Sequence, residues 1–195
     1  MSDETGSRTI QGIEGPAAGT WEIDTGHTSV AFVARYLMVT KVRGHFSDFS
    51  GAVHVAERPE DSWAELVIGA STIDTGNEDR DKHLRSPDFL DVERFPQIRF
   101  RSTKVELPGG SRIVVTGDLS IRDVTRPVVL EVEFAGLSQD PWGNRRAGFS
   151  ATTEIDREEF GASWNVALEA GGWLVSKQVQ VELDVLVTLK TEPAS

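Results

Sequence analysis

Apolar residues recur at every second position through most of this chain, and that period limits its folds more than any other feature. Side chains on a β-strand point alternately to opposite faces, so such a run is a strand with one buried face. Val30, Phe32, Ala34 and Tyr36 share one face, with Ala31, Val33 and Arg35 on the other. The same period runs through Ile98, Phe100 and Ser102, through Ile113, Val115, Gly117, Leu119 and Ile121, and through Val128, Leu130, Val132 and Phe134. It returns in Val179, Val181, Leu183, Val185, Val187 and Leu189. Further strands are expected at 41–55, 63–70 and 146–154, giving about eight with turn signals such as Pro108-Gly109-Gly110 and Trp142-Gly143-Asn144 between them. Two interruptions read as helical. One is NEDRDKHLRS at 77–86, barred from simple continuation by Pro87, and the other is a short turn from Asp156 to Phe160, stopped by Gly161.

Many antiparallel strands with few helices predict an all-β fold, a closed barrel or a sandwich, and closure removes the exposed edges that long strands would present. A barrel of about eight strands is wide enough to be filled by its side chains or to hold one small ligand. Ala34, Gly117, Ala147 and Ala151 on the inward faces fit either outcome. They can line a cavity, or they can make room for the rings of Phe32, Phe100, Phe134 and Phe149, and composition alone favours the filled core. Residues 19–190 are expected to form this one domain. Residues 1–18, rich in Gly, Ser, Thr and Ala, are expected to be a flexible N-terminal tail, and 191–195 a C-terminal one.

Charge narrows the function. A net charge of -11 gives no general footprint for phosphate backbones, so nucleic acid is not an expected partner. The same charge repels an anionic membrane surface, which restricts any lipid contact to a pocket or a local patch. No run reaches the length of a membrane span, and the segment MSDETGSRTIQGIEGPAAG lacks the apolar core of a secretory signal. The expected location is cytoplasmic, or periplasmic or secreted where a leader has been removed. The absence of cysteine excludes disulfides and thiolate metal sites.

Four segments resemble the YceI-like family. They are WEIDTGHTSVAFVARYLMVTKVRGHFSDFSG at 21–51, RDKHLRSPDFLDVERFPQIRFRST at 80–103, VTGDLSIRDVTRPVVLEVEFAG at 115–136 and DPWGNRRAGFSATTEIDREEFGASWN at 140–165. The resemblance implies a single lipocalin-like antiparallel barrel with one short helix near its mouth. It also implies an elongated apolar tunnel and, as in some members, a polyisoprenoid ligand. In that setting the small inward residues become tunnel lining. Tyr36 stands where relatives commonly carry a His, keeping a hydrogen-bonding tip on an aromatic body.

Phe32, Tyr36, Phe100, Phe134, Phe149 and Trp164 are therefore expected to line the tunnel. His27, Arg80 and His83 are expected as polar groups at its mouth facing a head group. Each also has a structural reading: a turn held by Asp24 for His27, and a helix fastened to the barrel rim for Arg80 and His83. Arg122, Asp123, Thr125 and Arg126 form a turn in which Arg and Asp are expected to satisfy each other rather than bind an anion. His27, His45, His54 and His83 show no metal-ligand spacing, and no nucleophile motif is present. The expected function is binding rather than catalysis: an amphiphilic lipid, a polyprenyl compound or an isoprenoid quinone, is sequestered or carried without a further cofactor or metal. The alternatives are an enzyme acting on a lipid or amide in the same cavity, with His27 and Arg80 as its machinery, and a stress-related barrel with a protein partner. A charged but partly apolar exterior is compatible with a homodimer.

Overall fold

An alternating run can bury its apolar side only by pairing with others around a common interior. The computed structural model describes residues 7–10, 13–169 and 171–190. The strands are β1 (Ser7–Ile10), β2 (Ile13–Pro16), β3 (Gly19–Ile23), β4 (Ser29–Tyr36), β5 (Thr40–Phe46), β6 (Phe49–Val55) and β7 (Trp63–Gly69). They continue as β8 (Ile73–Asp74), β9 (Gln97–Gly109), β10 (Arg112–Ile121), β11 (Val124–Gln139), β12 (Arg145–Asp156) and β13 (Gln178–Leu189). Helix α1 (Glu78–Arg85) connects β8 to β9, and 3-10 turns occur at Pro59–Asp61, Ala70–Thr72 and Arg157–Phe160.

β3, β6, β7, β9, β10, β11, β12 and β13 follow one another around a ring, which closes because β13 pairs with β12 on one edge and β3 on the other. The fold is all-β, a closed eight-strand antiparallel barrel with one α-helix. Three of its staves are broken. Beyond the loop at residues 24–28, β4 takes over from β3 along the same edge of β13, pairing Ser29–Val33 with Gln180–Asp184. β5 and β6 part at Ser47-Asp48, and β7 and β8 at the turn Ala70–Thr72. These breaks are braced together. Thr72 Oγ1 accepts from the amides of Ser47 and Asp48 at 3.2 Å each and donates to the Gly69 carbonyl at 2.7 Å.

The alternation in β9 changes phase. Ile98, Phe100 and Ser102 face inward as expected, but a bulge at Thr103 lets Lys104 pair with Thr116 beside Ser102 with Gly117. Val105 and Leu107 then face the interior. The supposed N-terminal tail also holds structure, since β1 and β2 pair as a hairpin before Gly19. Four-residue strands interrupted by Gly and Pro leave no period to read. The hairpin lies against the barrel end, where Arg8 Nη1 donates to the Glu57 carbonyl at 3.1 Å. Residues 1–6 and the supposed tail at 191–195 lie outside the described residues.

Burial concentrates in two clusters. At the α1 end, Val30, Phe49, Ile68, Ile98, Ile121, Ile155 and Phe160 pack together. At the other end Trp21, fully buried, packs with Val55, Ala147 and Val187, its indole N–H donating to the Ala17 carbonyl at 3.1 Å. A buried indole needs such a partner because its N–H cannot be left unpaired at low cost.

Candidate functional site

Between the two clusters the barrel is not filled. A cavity of about 410 Å³ runs along its axis, a size common for small-molecule sites. Its wall is made by inward side chains of successive strands: Phe32 and Ala34 of β4, Leu66 of β7, Phe100 and Val105 of β9, and Val115 and Leu119 of β10. Val128 and Phe134 of β11, Phe149 and Thr153 of β12, and Val181 and Val185 of β13 complete it. The wall carries few groups able to hold water by several hydrogen bonds, so its favoured occupant is apolar.

Of the small inward residues, Gly117 serves a ring after all, and Gly44, which the alternation did not single out, does the same. Gly44 lies opposite Phe32 in the β4–β5 ladder and Gly117 sits under the Phe100 ring, so a methyl at either position would overlap an aromatic edge. Ala34 and Ala151 are part of the cavity wall, whereas Ala147 is packed beside Trp21. The choice between ring space and cavity is thus settled position by position.

At the α1 end the wall continues through Leu84, Phe89, Leu90, Phe160 and Ala162. Phe89 is buried and holds an aromatic group behind it: His83 meets it edge-on at 5.1 Å and meets Trp164 edge-on at 4.6 Å. His83 Nε2 pairs with Asp88 Oδ2 at 2.8 Å. Arg157 lies over the Phe89 ring at 5.6 Å and lines the cavity. Its guanidinium donates to the carbonyls of Ser176 at 2.9 Å, Trp164 at 3.0 Å, Val175 at 3.4 Å, and Ala162. Burial lowers the Arg157 pKa, with Glu158 and Asp156 acting against that. So placed, Arg157 ties the 161–177 segment to the barrel end.

At the opposite end Arg8, Glu14 and Pro16 of the N-terminal hairpin border the cavity, with Gly110 and Ser111 of the β9–β10 turn. The Arg8 side chain is only 10% exposed and its nearest carboxylate is Glu57 at 3.7 Å. Its Nε is buried without a hydrogen-bond partner. Burial lowers the Arg8 pKa and Glu57 partly offsets this.

The structure places Phe32, Phe100, Phe134 and Phe149 in the cavity wall. The remaining expected residues stand elsewhere. Tyr36 is 43% exposed, because the β4–β5 hairpin runs beyond the barrel rim before it turns. Trp164 and His83 stand one layer behind Phe89 rather than in the wall. His27 projects from the loop between β3 and β4, where Asp24 takes the Gly26 amide at 3.0 Å and the His27 ring at 3.1 Å. Arg80 turns back onto Thr75, its Nε donating to Oγ1 at 2.6 Å and its Nη2 to the carbonyl at 2.8 Å, so it fastens α1 to the chain before it. Arg122 does not pair with Asp123 as expected. It takes a left-handed conformation (φ 57°) and donates to the carbonyls of Phe89 at 3.2 Å and Gly161 at 2.7 Å.

Sequence reasoning missed Phe89, Leu84, Phe160 and Arg157. A signal existed for the first three, as apolar residues inside the polar stretches KHLRSPDFLD and DREEFG. None existed for Arg157, whose four carbonyl partners lie 5 to 19 residues further on.

The family model for the YceI-like domain matches residues 21–187. A UPF0312 protein of Vibrio parahaemolyticus is 38% identical over 149 residues, covering 75% of this chain and 79% of that one. A UPF0312 protein of Shewanella denitrificans is 39% identical over 162 residues, covering 78% and 85%. Among solved structures, BcnA of Burkholderia cenocepacia superposes with a TM-score of 0.72 at 22% identity, covering 84% of this chain and 98% of that one. A polyisoprenoid-binding domain from Saccharophagus degradans, implicated in plant cell wall breakdown, gives 0.65 at 16% identity, covering 87% and 98%. These solved structures share the barrel, and the family match and sequence relatives identify it: the chain belongs to the YceI-like domain family.

Proposed function

We propose that this protein binds an amphiphilic lipid with a long apolar chain, an isoprenoid by preference, and sequesters or carries it inside the barrel. The observation that carries the reading is the unfilled cavity, whose wall is apolar from Phe89 and Phe160 at one end to Val105 and Leu107 at the other. Each methylene moved from water into such a wall contributes about 0.8 kcal/mol, so a chain of several isoprene units binds without a large set of polar contacts. Ordering that chain takes back part of the gain. The polyisoprenoid-binding description of one structural neighbour supports the choice of chain.

Binding is favoured over catalysis because the residues of the catalytic alternative are employed elsewhere. His27 belongs to an exposed turn held by Asp24, and Arg80 is bonded to Thr75. Native mass spectrometry of the purified protein, followed by organic extraction, tests the reading. A stoichiometric apolar molecule of several hundred daltons is the expected result. A protein that is empty as isolated and takes up no polyprenyl compound on incubation refutes it.

A further inference from the structure

Six of the eight large apolar side chains that stand exposed among the described residues lie on two segments, Tyr36 to Val39 on one and Val166 and Trp173 on the other. These segments adjoin. The Leu37 amide donates to the Leu174 carbonyl at 2.8 Å, the Leu174 amide donates to the Val166 carbonyl at 2.9 Å, and Tyr36 bridges to Val175. The outermost residue, Val39, is 80% exposed. Together they form one apolar edge beyond the barrel rim. Tyr36 follows Phe32 and Ala34 on the same strand face, so this edge prolongs the cavity wall to the outside.

Two features of the hairpin work against its own stability. Leu37 and Met38 both have positive φ, 53° and 59°, in a turn closed by the Val39 amide donating to the Tyr36 carbonyl at 3.1 Å. Such a turn favours Asn-Gly, and bulky side chains there are uncommon. Directly below, Arg35 and Lys41 face each other across the ladder, both exposed, and neither makes an ion pair among the described residues. Like charges in opposed positions destabilise a hairpin.

The charge around the edge is also unlike the rest of the chain. No Asp or Glu occurs between Asp24 and Asp48, while Arg35, Lys41 and Arg43 do. Arg43 pairs with Glu182 at 2.9 Å, and on the second segment Glu169 is the one acid. Lys177 pairs with Glu158 at 2.8 Å and lies 6.0 Å from the Trp173 ring. Apolar side chains at a tip with cations and an aromatic just behind them match the depth profile of a bilayer surface, acyl chains first and anionic head groups next.

We propose that the β4–β5 tip, with Val166 and Trp173 beside it, docks this protein on an anionic lipid bilayer. Leu37, Met38 and Val39 enter the acyl boundary, and Arg35 and Lys41 meet head-group phosphates. Docking holds whatever the cavity carries.

Flotation of the full chain with phosphatidylcholine vesicles, with and without phosphatidylglycerol, tests the docking. The protein should float with the phosphatidylglycerol vesicles, less so at high salt. Leu37→Asn with Met38→Gly gives the turn the residues it favours, so the thermal midpoint should hold or rise while vesicle partition falls roughly tenfold. Arg35→Gln with Lys41→Gln should remove the preference for phosphatidylglycerol. Ala34→Phe, which places a ring in the cavity and obstructs it, should leave flotation unchanged, so docking and cargo binding fail separately. The proposal is overturned by a protein that does not float, or by flotation indifferent to the Asn-Gly tip. It is also overturned by a dimer that the Asn-Gly tip dissociates without any vesicle binding, which would put a second copy on the edge.

Discussion

Gly44 and Gly117 show how one missing side chain places another. With no Cβ at Gly44, the edge of the Phe32 ring takes the space a methyl would need, and a methyl there would also stand 2.8 Å from the Thr75 side chain. Gly44→Ala should cost about 1–3 kcal/mol of stability, read from urea unfolding, as crowding in a packed wall does. In a Phe32→Ala background the part of that penalty due to the ring should vanish and the Thr75 part remain, and equal penalties in both backgrounds would refute the pairing. Asp140 gives a pH dependence. Burial acts to raise its carboxyl, but hydrogen bonds from the Asn144 side chain and amide, Arg146 and the Trp142 amide outweigh it and hold the group at about 2. Its folded pKa thus lies below the unfolded value of about 3.9, so its contribution is complete above that and lost as pH falls toward 2. The thermal midpoint should drop across this acid window, and Asp140→Asn should flatten the drop. An unchanged acid profile in that variant would dissociate Asp140 from it. At this scale the Asp24–His27 turn was legible because its partners are three residues apart, whereas the carbonyls that occupy Arg122 and Arg157 come from distant segments.

The elements were legible in proportion to how local their signals are. The alternating runs became strands, and NEDRDKHLRS became α1 with the Asn77 side chain accepting from the Arg80 amide at 2.9 Å. A helix of 8 residues does not persist alone, and this one is held from outside. Arg85 donates to the Ser71 and Ile73 carbonyls at 2.7 Å each, and buried Asp81 accepts from the Thr75 amide at 2.9 Å and from its hydroxyl. Asp81→Ala leaves that amide without its acceptor, at an expected cost of about 1–3 kcal/mol. Hydrogen exchange should then quicken over residues 75–92 while β10, β11 and β12 keep their protection. Uniform quickening across the barrel would show that α1 is not a separately held unit. What the sequence could not show at this scale was the breaking of three staves and the bulge in β9. Both depend on how neighbouring strands meet, and the β3–β4 edge is defined only by β13.

The barrel as a whole is held by β13, which closes the ring and spans both halves of the broken first stave. Inside that ring, side chains leave a cavity of about 410 Å³ unfilled, the space the proposed ligand would take. A bound lipid should stabilise the protein by mass action, about 2.7 kcal/mol at a free ligand concentration one hundred times Kd. The thermal midpoint should rise with added polyprenyl compound. Ala34→Phe, placed in the cavity wall, should keep the fold and abolish the rise. A rise that survives this change would put the ligand elsewhere.

Period-two alternation by itself determined that the chain is all-β, a barrel or a sandwich, and which side chains share a buried face, because burial on a strand follows from sequence order until a bulge intervenes. The pairing of β13 with both β12 and β3 made it a barrel. The tertiary structure alone decided which inward residues fill space and which leave it. Gly117 gives way to Phe100, Ala147 packs on Trp21, and Ala34 borders the cavity, although all three read alike in the sequence. It also decided that Arg157 and Arg80 serve the scaffold and that Leu37, Met38 and Val39 stand outside it. The reason is physical: alternation reports the face a side chain takes, while occupancy depends on the volume left by partners across the barrel, which are far away in the chain.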